Sequence, residues 1–116
     1  MSIQFTDSYS VFNGTVAATT TSTAIDVSKR QLVSLQFITA GGSSVFTIDA
    51  SNDGSTWTTG IAFLNATATA TGTSVVTSGS LSSTNMIAIV PPNFRYIRVV
   101  ATYTSGTADA ILEAKG

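Results

Sequence analysis

The side chains that could carry out acid–base chemistry in this sequence are its six Asp and Glu residues. The 116 residues contain no histidine and no cysteine, so the usual proton shuttle at neutral pH and the strongest side-chain nucleophile are both missing. A catalytic site would therefore have to be built from a pair of carboxylates, as in glycoside hydrolysis. The candidates are Asp7, Asp26, Asp49, Asp53, Asp109 and Glu113.

The sequence positions of these carboxylates indicate solvated strand and turn residues rather than a shared cleft. Asp49 and Asp109 fall at outward-facing positions of predicted strands, and Asp53 falls in a predicted turn. We therefore expect that the chain is not an enzyme and that it uses no cofactor.

A partial match to a calcium-binding loop begins at Asp49. Oxygen ligands stand at its first, third and fifth positions and Gly54 at its sixth, but the twelfth position is Gly60 instead of a bidentate glutamate. The flanking segments are predicted strands rather than helices. A hairpin turn is the preferred interpretation, and a calcium site of another type stays open.

Charge and hydropathy limit the classes of partner that this chain is expected to bind. The formal net charge is −1 and only Lys29-Arg30 are adjacent basic residues, so the clustered charge that neutralises phosphates is missing and we expect no nucleic acid. No apolar run approaches the ~20 residues of a membrane span, and the N-terminus lacks the pattern of a signal peptide. A net charge this small favours association with other proteins.

Arginine and aromatic side chains offer contacts rather than catalysis. Arg95 and Arg98 flank Tyr96, a combination favoured at interface anchors. Arg98 could equally pair with a carboxylate on the surface of a sheet while its aliphatic stem covers apolar area. For Trp57, a position in the core is preferred to a sugar-stacking platform.

The elements that would hold these residues are strands. In Gln31–Ile38, Val33, Leu35 and Phe37 share one face, which is the alternation of a half-buried strand. Gly41-Gly42 ends it, and Val45–Ala50 repeats the pattern. Asn52-Asp53-Gly54 then predicts a tight turn with a return strand that begins at Trp57 and an apolar segment at 61–64.

The second half of the chain gives further strands. Tyr96–Thr104 is expected to pair with Ala108–Glu113 through a hairpin at Ser105-Gly106-Thr107. Met86–Val90 is apolar at every position, which predicts a strand buried on both faces and stopped by Pro91-Pro92. Two more strands are expected at 9–16 and 22–27. The resulting total of about eight to ten short strands predicts one antiparallel β-sandwich or barrel.

An Ala/Thr-rich segment at 65–74 stands apart from this pattern. Its Gly, Ser and Thr content is typical of a mobile surface loop. Its small alternating residues would also suit an edge strand that pairs with another subunit. Both interpretations stay open.

Two motifs resemble segments of known proteins. Ser51-Asn-Asp-Gly-Ser-Thr-Trp57-Thr-Thr is similar to a hairpin found in tailed-bacteriophage structural proteins, and also to one in discoidin-like sugar-binding modules. Phe94-Arg95-Tyr96-Ile97-Arg98-Val99 is similar to the strand that follows it in the same phage proteins. This resemblance implies a jelly-roll-like antiparallel β-sandwich that serves as a virion component and forms dimers or trimers.

We therefore expect an N-terminal arm at 1–10, a single β-sandwich domain at 11–116, and a non-enzymatic role in a phage virion. A small decoration or cement protein that bridges major capsid subunits is preferred, with other virion proteins as further partners. The alternatives are a tail, baseplate or fibre module and a carbohydrate-binding domain. The residues expected at partner interfaces are Ile3, Phe5, Tyr9, Thr67, Thr69, Thr71, Arg95 and Arg98.

Overall fold

The strands of this protein form two antiparallel sheets that pack face to face. The computed structural model describes residues 6–12, 14–65, 74–76, 79–82, 85–90 and 94–115, and within these ranges it contains strands and no helix. The strands are β1 (Thr6–Ser10), β2 (Thr20–Thr21), β3 (Ile25–Asp26), β4 (Leu32–Ala40), β5 (Ser43–Ser51), β6 (Phe63–Asn65), β7 (Ser74–Val76), β8 (Gly79–Ser82), β9 (Asn85–Val90), β10 (Tyr96–Tyr103) and β11 (Thr107–Lys115).

The strand order is that of a jelly roll. The first sheet runs β1-β11-β4-β9-β6-β7, and the second runs β2-β10-β5-β8 with β3 also paired to β10. Without the β6–β7 hairpin, the first sheet has four strands and the second has five, with β2 and β3 both paired to β10. The chain alternates between the two sheets as the jelly-roll winding requires. The expected fold class is confirmed, and β6–β7 is an insertion between β5 and β8 that widens the first sheet.

The core lies between the two sheets and is filled by alternate residues of the long strands. Phe37 of β4 stacks on Phe46 of β5 with ring centroids 4.5 Å apart and planes within 2°. Phe63 of β6 meets Phe37 edge-on at 5.9 Å. All three side chains are almost fully buried, and burial of each contributes roughly 1.5–3 kcal/mol. The alternation predicted for β4 and β5 is therefore the pattern that builds this core.

The turns at Gly41-Gly42 and Ser105-Gly106 are corners that connect the two sheets, and neither forms a hairpin. The predicted hairpin at Ser105-Gly106-Thr107 is wrong, because β10 pairs with β5 while β11 pairs with β4. The corners also pack on each other: the Ser105 amide donates to the Ser43 carbonyl at 3.1 Å, and a Cβ on Gly42 would overlap the Ser105 backbone. A hairpin and a corner need the same local residues, so only the pairing partner distinguishes them.

Strand β9 buries one face only. Met86, Ala88 and Val90 point into the core, whereas Ile87 and Ile89 are 38% and 41% exposed. The prediction that this strand is buried on both faces is wrong, because none of the described residues forms a layer over these two side chains. Pro91-Pro92 lie outside the described residues.

Two other strand predictions change in extent. The return strand after the turn is reduced to one residue, Thr58, which exchanges backbone hydrogen bonds of 3.0 and 2.9 Å with Ala50. The chain then crosses to the first sheet as β6. Near the N-terminus, β1 ends at Ser10 and Val16 makes an isolated bridge to Ala108.

Part of the segment expected to be an arm lies in the first sheet. Residues 6–10 form β1, which pairs along β11 from Thr6 opposite Lys115 to Ser10 opposite Ile111. Residues 1–5 lie outside the described part of the chain. The backbone of 6–10 is thus fixed as an edge strand.

Two buried serines provide a test of how the second sheet is stabilised. The Ser44 hydroxyl is buried without a hydrogen-bond partner among the described residues, whereas the Ser22 hydroxyl accepts from the Val99 amide at 2.9 Å. We expect Ser44→Ala to leave the free energy of unfolding unchanged or raise it by up to about 1 kcal/mol, and Ser22→Ala to lower it by about 1–2 kcal/mol. Urea unfolding of both variants measures this, and a larger loss for Ser44→Ala would contradict it.

Candidate functional site

The two motifs singled out in the sequence meet on the outer surface of the second sheet. Residues 51–60 leave the end of β5 and fold back over β5 and β10. At the tip of this loop, a Cβ on Gly54 would lie 3.3 Å from the Tyr96 ring, and Gly54 has a φ of +79°. At its base, the Asn52 side-chain oxygen accepts from the Arg95 amide at 3.3 Å. We call residues 51–60 the clamp loop.

Asp53 shapes the tip of the clamp loop. Its Oδ1 accepts from the amides of Thr56 at 2.7 Å and Ser55 at 2.8 Å and from the Ser51 hydroxyl at 2.9 Å. The Thr56 amide, followed by the other two donors, holds the pKa of Asp53 well below its usual value. Ser51 Oγ in turn accepts from the Gly54 amide at 2.9 Å. The carboxylate predicted in a turn is therefore the group that closes the turn.

Asp49, Arg98 and Trp57 fasten the middle of the clamp loop. Arg98 stands opposite Asp49 in the β10–β5 pairing, and its Nε donates to Asp49 Oδ2 at 2.9 Å. The other carboxylate oxygen accepts from the Gly60 amide at 3.2 Å. The Arg98 guanidinium lies 4.3 Å from the centroid of the Trp57 ring, a cation–π geometry.

This arrangement corrects two expectations. Asp49 faces away from the core as predicted, but it is only 2% exposed rather than solvated, because Arg98 and the clamp loop cover it. Trp57 is half-buried on the outer surface and is not a core residue. Of the two roles left open for Arg98, the structure shows the ion pair with a carboxylate, that of Asp49.

The clamp residues offer little for ligand chemistry. The partial calcium loop supplies Asp49 and Asp53, but Arg98 and the loop amides occupy oxygens of both carboxylates. Within the described ranges, no three His, Cys, Asp or Glu side chains are grouped to hold a metal ion. An open cavity of about 410 Å³ lies between the clamp loop, Ile61 and Phe94. One wall of this cavity is the turn at Asp53, whose carboxylate already accepts hydrogen bonds from within the clamp loop.

Two further carboxylates, Asp26 and Asp109, also serve local structure. Asp26 Oδ1 accepts from the Ser28 hydroxyl at 2.6 Å and from its amide at 2.9 Å, and the side-chain bond is the main cause of its lowered pKa. Asp109 Oδ1 accepts from the Ser10 hydroxyl at 2.7 Å, which joins β11 to the end of β1.

The outer surface of the first sheet differs from that of the second sheet, because it exposes apolar side chains that no described residue covers. We define the apolar face as Leu32, Leu64, Val75, Ile87 and Ile89. Leu32 is 60% and Val75 68% exposed. The strand pairing aligns Ile89, Leu64 and Val75 in one row across β9, β6 and β7. The sequence pattern gives no signal of this face, because the all-apolar Met86–Val90 segment predicts a strand buried on both sides.

Beside this row the surface forms two hollows. One, of about 360 Å³, is lined by apolar side chains that include Leu32, Ala62, Leu64, Val75 and Ile89. The second, of about 190 Å³, lies between Leu32, Ser34, Ile89 and Glu113. Large exposed apolar patches on proteins mark interaction sites, ligand-binding grooves or aggregation-prone surfaces.

The predicted interface residues are distributed as follows. Arg95 is exposed and directly precedes β10, with its guanidinium 5.2 Å from the centroid of the Tyr96 ring. Arg98 lies in β10, where it pairs with Asp49 and contacts Trp57 of the clamp loop. Tyr9 lies in β1, opposite Leu112. The remaining five, Ile3, Phe5, Thr67, Thr69 and Thr71, lie outside the described residues. Among described residues, no helix is long and apolar enough to cross a membrane.

Comparisons with known proteins give one structural likeness. The sequence matches no family model and no curated protein sequence. The fold is similar to that in the crystal structure of the SPBc2 prophage-derived protein YomS, with a TM-score of 0.80 and 11% sequence identity. The similarity covers 100% of this chain and 97% of that one. At this identity it establishes a shared fold, along the whole chain, with a protein derived from a prophage.

Arg98 and Arg95 form a matched pair for testing the clamp. Arg98→Ala leaves the buried Asp49 carboxylate without its cation, and we expect the free energy of unfolding to fall by about 3 kcal/mol. Arg95→Ala removes an exposed guanidinium and should change it by less than about 0.5 kcal/mol. Urea unfolding followed by the fluorescence of the single tryptophan measures both. Equal effects of the two substitutions would contradict a structural role for Arg98.

Asp53 gives the clamp loop a dependence on pH. In the folded protein the pKa of Asp53 lies below its ordinary value of 3.8. The unfolded chain therefore binds the proton first as the pH falls. The stabilisation is therefore complete above the unfolded pKa and is lost on acidification towards the folded pKa. We expect the Tm of the wild-type protein to fall more steeply than that of Asp53→Ala between pH 5 and about pH 2. Parallel thermal melts across this range test it, and identical slopes would contradict it.

Proposed function

We propose that this chain is a structural protein of a bacteriophage virion, without enzymatic activity, and that it decorates and cements the capsid. In this role it bridges neighbouring major capsid subunits and stabilises the shell by the surface it buries between them. The partners are the major capsid protein and further copies of the chain, and the site of action is the virion, after assembly in the host cytoplasm.

The observation that carries this proposal is the apolar face. Four large apolar side chains, Leu32, Val75, Ile87 and Ile89, are between 38% and 68% exposed on the outer side of the first sheet. Exposure of such side chains in water is unfavourable, and contact with another protein removes it. A face of this kind suits a protein that functions while packed against neighbours.

The remaining surface supports the same role. Asp, Glu, Lys and Arg make up only 9% of the chain, so few charges must be desolvated when it is packed. Exposed residues such as Thr21, Thr58 and Thr102 have short side chains, which lose less conformational entropy on contact than Lys or Glu. The carboxylates described above are engaged in turns and strand pairs, which supports a non-catalytic role.

The fold comparison supports the phage context. The chain has the same fold along its whole length as a prophage-derived protein, and jelly rolls are common in viral capsid proteins. Fold alone leaves function open, so the proposal also depends on the low charge and the apolar face. A glycan-binding role has less support, since Trp57, its expected stacking platform, already lies against Arg98.

We further propose that residues 1–5 dock the protein on the shell. Ile3 and Phe5 are apolar, and they directly precede β1, the edge strand of the first sheet that pairs with β11. Tyr9, Thr67, Thr69, Thr71 and the exposed Arg95 remain predicted contacts, whereas Arg98 is already engaged by Asp49 and Trp57.

The docking proposal is tested by replacing both apolar residues of this segment. We expect the Ile3→Ser, Phe5→Ser double variant to fold normally and to bind purified capsids at least tenfold more weakly, because it loses two buried apolar side chains. Co-sedimentation with capsids that lack the native protein measures binding, and Ser2→Ala is the matched control. Unchanged binding of the double variant would place the docking surface elsewhere.

The virion assignment itself is tested by counting copies. Quantitative mass spectrometry of purified particles should find this chain at a ratio to the major capsid protein within several-fold of one, since a decoration protein occupies repeated positions on the shell. A handful of copies per particle would instead place it in the tail or baseplate. Absence from particles would overturn the proposal and make glycan-array screening the next experiment.

A further inference from the structure

We infer that the apolar face is the contact surface of a homodimer, in which the first sheets of two copies pack against each other about a two-fold axis. This inference deepens the proposed function by naming the occupant of the face, a second copy of this chain. It depends on the surface alone and would hold in solution without any capsid.

The shape of the face favours an identical partner. Leu32 and Val75 are its most exposed side chains, at 60% and 68%, and both also border the hollow of about 360 Å³. The same face therefore presents protrusions and a recess of matching chemistry. In a two-fold dimer each patch meets its own copy, so a protruding side chain of each copy can fill the hollow of the other.

Charge also favours a second copy. The row Ile89, Leu64, Val75 carries no ionisable group, and the adjoining Glu113 borders only the second hollow. A partner must therefore be neutral and apolar over the centre of the face, since an opposing charge would be desolvated without compensation. The same face on another copy meets this condition, and the net charge of −1 adds little long-range repulsion.

The edge of the sheet gives the face room to extend. Strand β7 is the last strand of the first sheet, and its described residues include no Lys or Pro of the kind that blocks edge pairing. At a strand spacing of roughly 4.8 Å, β4, β9, β6 and β7 give a face roughly 19 Å wide. A specific interface buries roughly 1,000 Å² or more in total, so we expect the contact to run along β4 and β9 as well as across the four strands.

Analytical ultracentrifugation of the purified chain between about 1 and 200 µM, a range that covers moderate affinities, tests this inference. We expect a concentration-dependent monomer–dimer equilibrium for the wild-type protein. Ile89→Lys and Val75→Lys, tested separately, should each weaken dimerisation at least tenfold, because each buries an unpaired charge in the face. Thr102→Lys, at an exposed position of β10 on the second sheet, is the matched control and should dimerise as the wild type does.

The outcomes separate this inference from the proposed function. A wild-type chain that stays monomeric at 200 µM would overturn the dimer, as would a dimer unaffected by both face substitutions. Thermal melts and circular dichroism must show that the variants remain folded, and the two independent positions guard against a local defect at one of them. Copy number in particles is measured separately, so a dimer in solution with no copies in virions would overturn the virion role and leave the dimer face standing.

Discussion

Contact between the two sheets at Phe37 and Phe46 is the interaction on which the rest of the structure depends. These residues lie on β4 and β5, which are consecutive in sequence but belong to different sheets. Their rings stack at 4.5 Å, and Phe63 closes the cluster from β6. Stacking of this kind requires the chain to turn from one sheet to the other between 40 and 43. The corner at Gly41-Gly42, and its contact with Ser105, are consequences of this requirement.

Each sheet directs one face to this core, and the outer faces of the two sheets differ in how far they are covered. The second sheet is partly covered by the clamp loop, where Asp49, Arg98 and Trp57 form a sequence of charge–charge and cation–π contacts. The first sheet exposes Leu32, Val75, Ile87 and Ile89. A polar, self-satisfied surface has little to gain from a partner, whereas an apolar one gains by being covered. The functional proposals accordingly centre on the first sheet.

The clamp also gives a physical reason for the two motifs that resemble phage structural proteins. Each motif is weak as a local signal, yet in the fold Trp57 meets Arg98, the Gly54 position meets Tyr96, and Asn52 meets the Arg95 backbone. The two segments are complementary halves of one tertiary contact, which explains why they occur together. The presence of both motifs in one chain is accounted for by the contacts that hold the clamp loop on β10. A bound ligand is not needed to account for it.

The sequence by itself determined the fold class, the strands β4, β5, β10 and β11 and the inward faces of β4 and β5, because a period of two is a local property of side chains on a strand. It also placed the turn at Asp53, whose carboxylate bonds to amides two and three residues away. Only the tertiary structure decided that 40–43 and 104–106 are corners, that Asp49 is covered, and that Ile87 and Ile89 face outward uncovered. These depend on which strands become neighbours and on what lies above each sheet, and a local pattern contains neither. An apolar residue reads the same in a core and on an exposed face; its environment is set by the packing of segments distant in sequence.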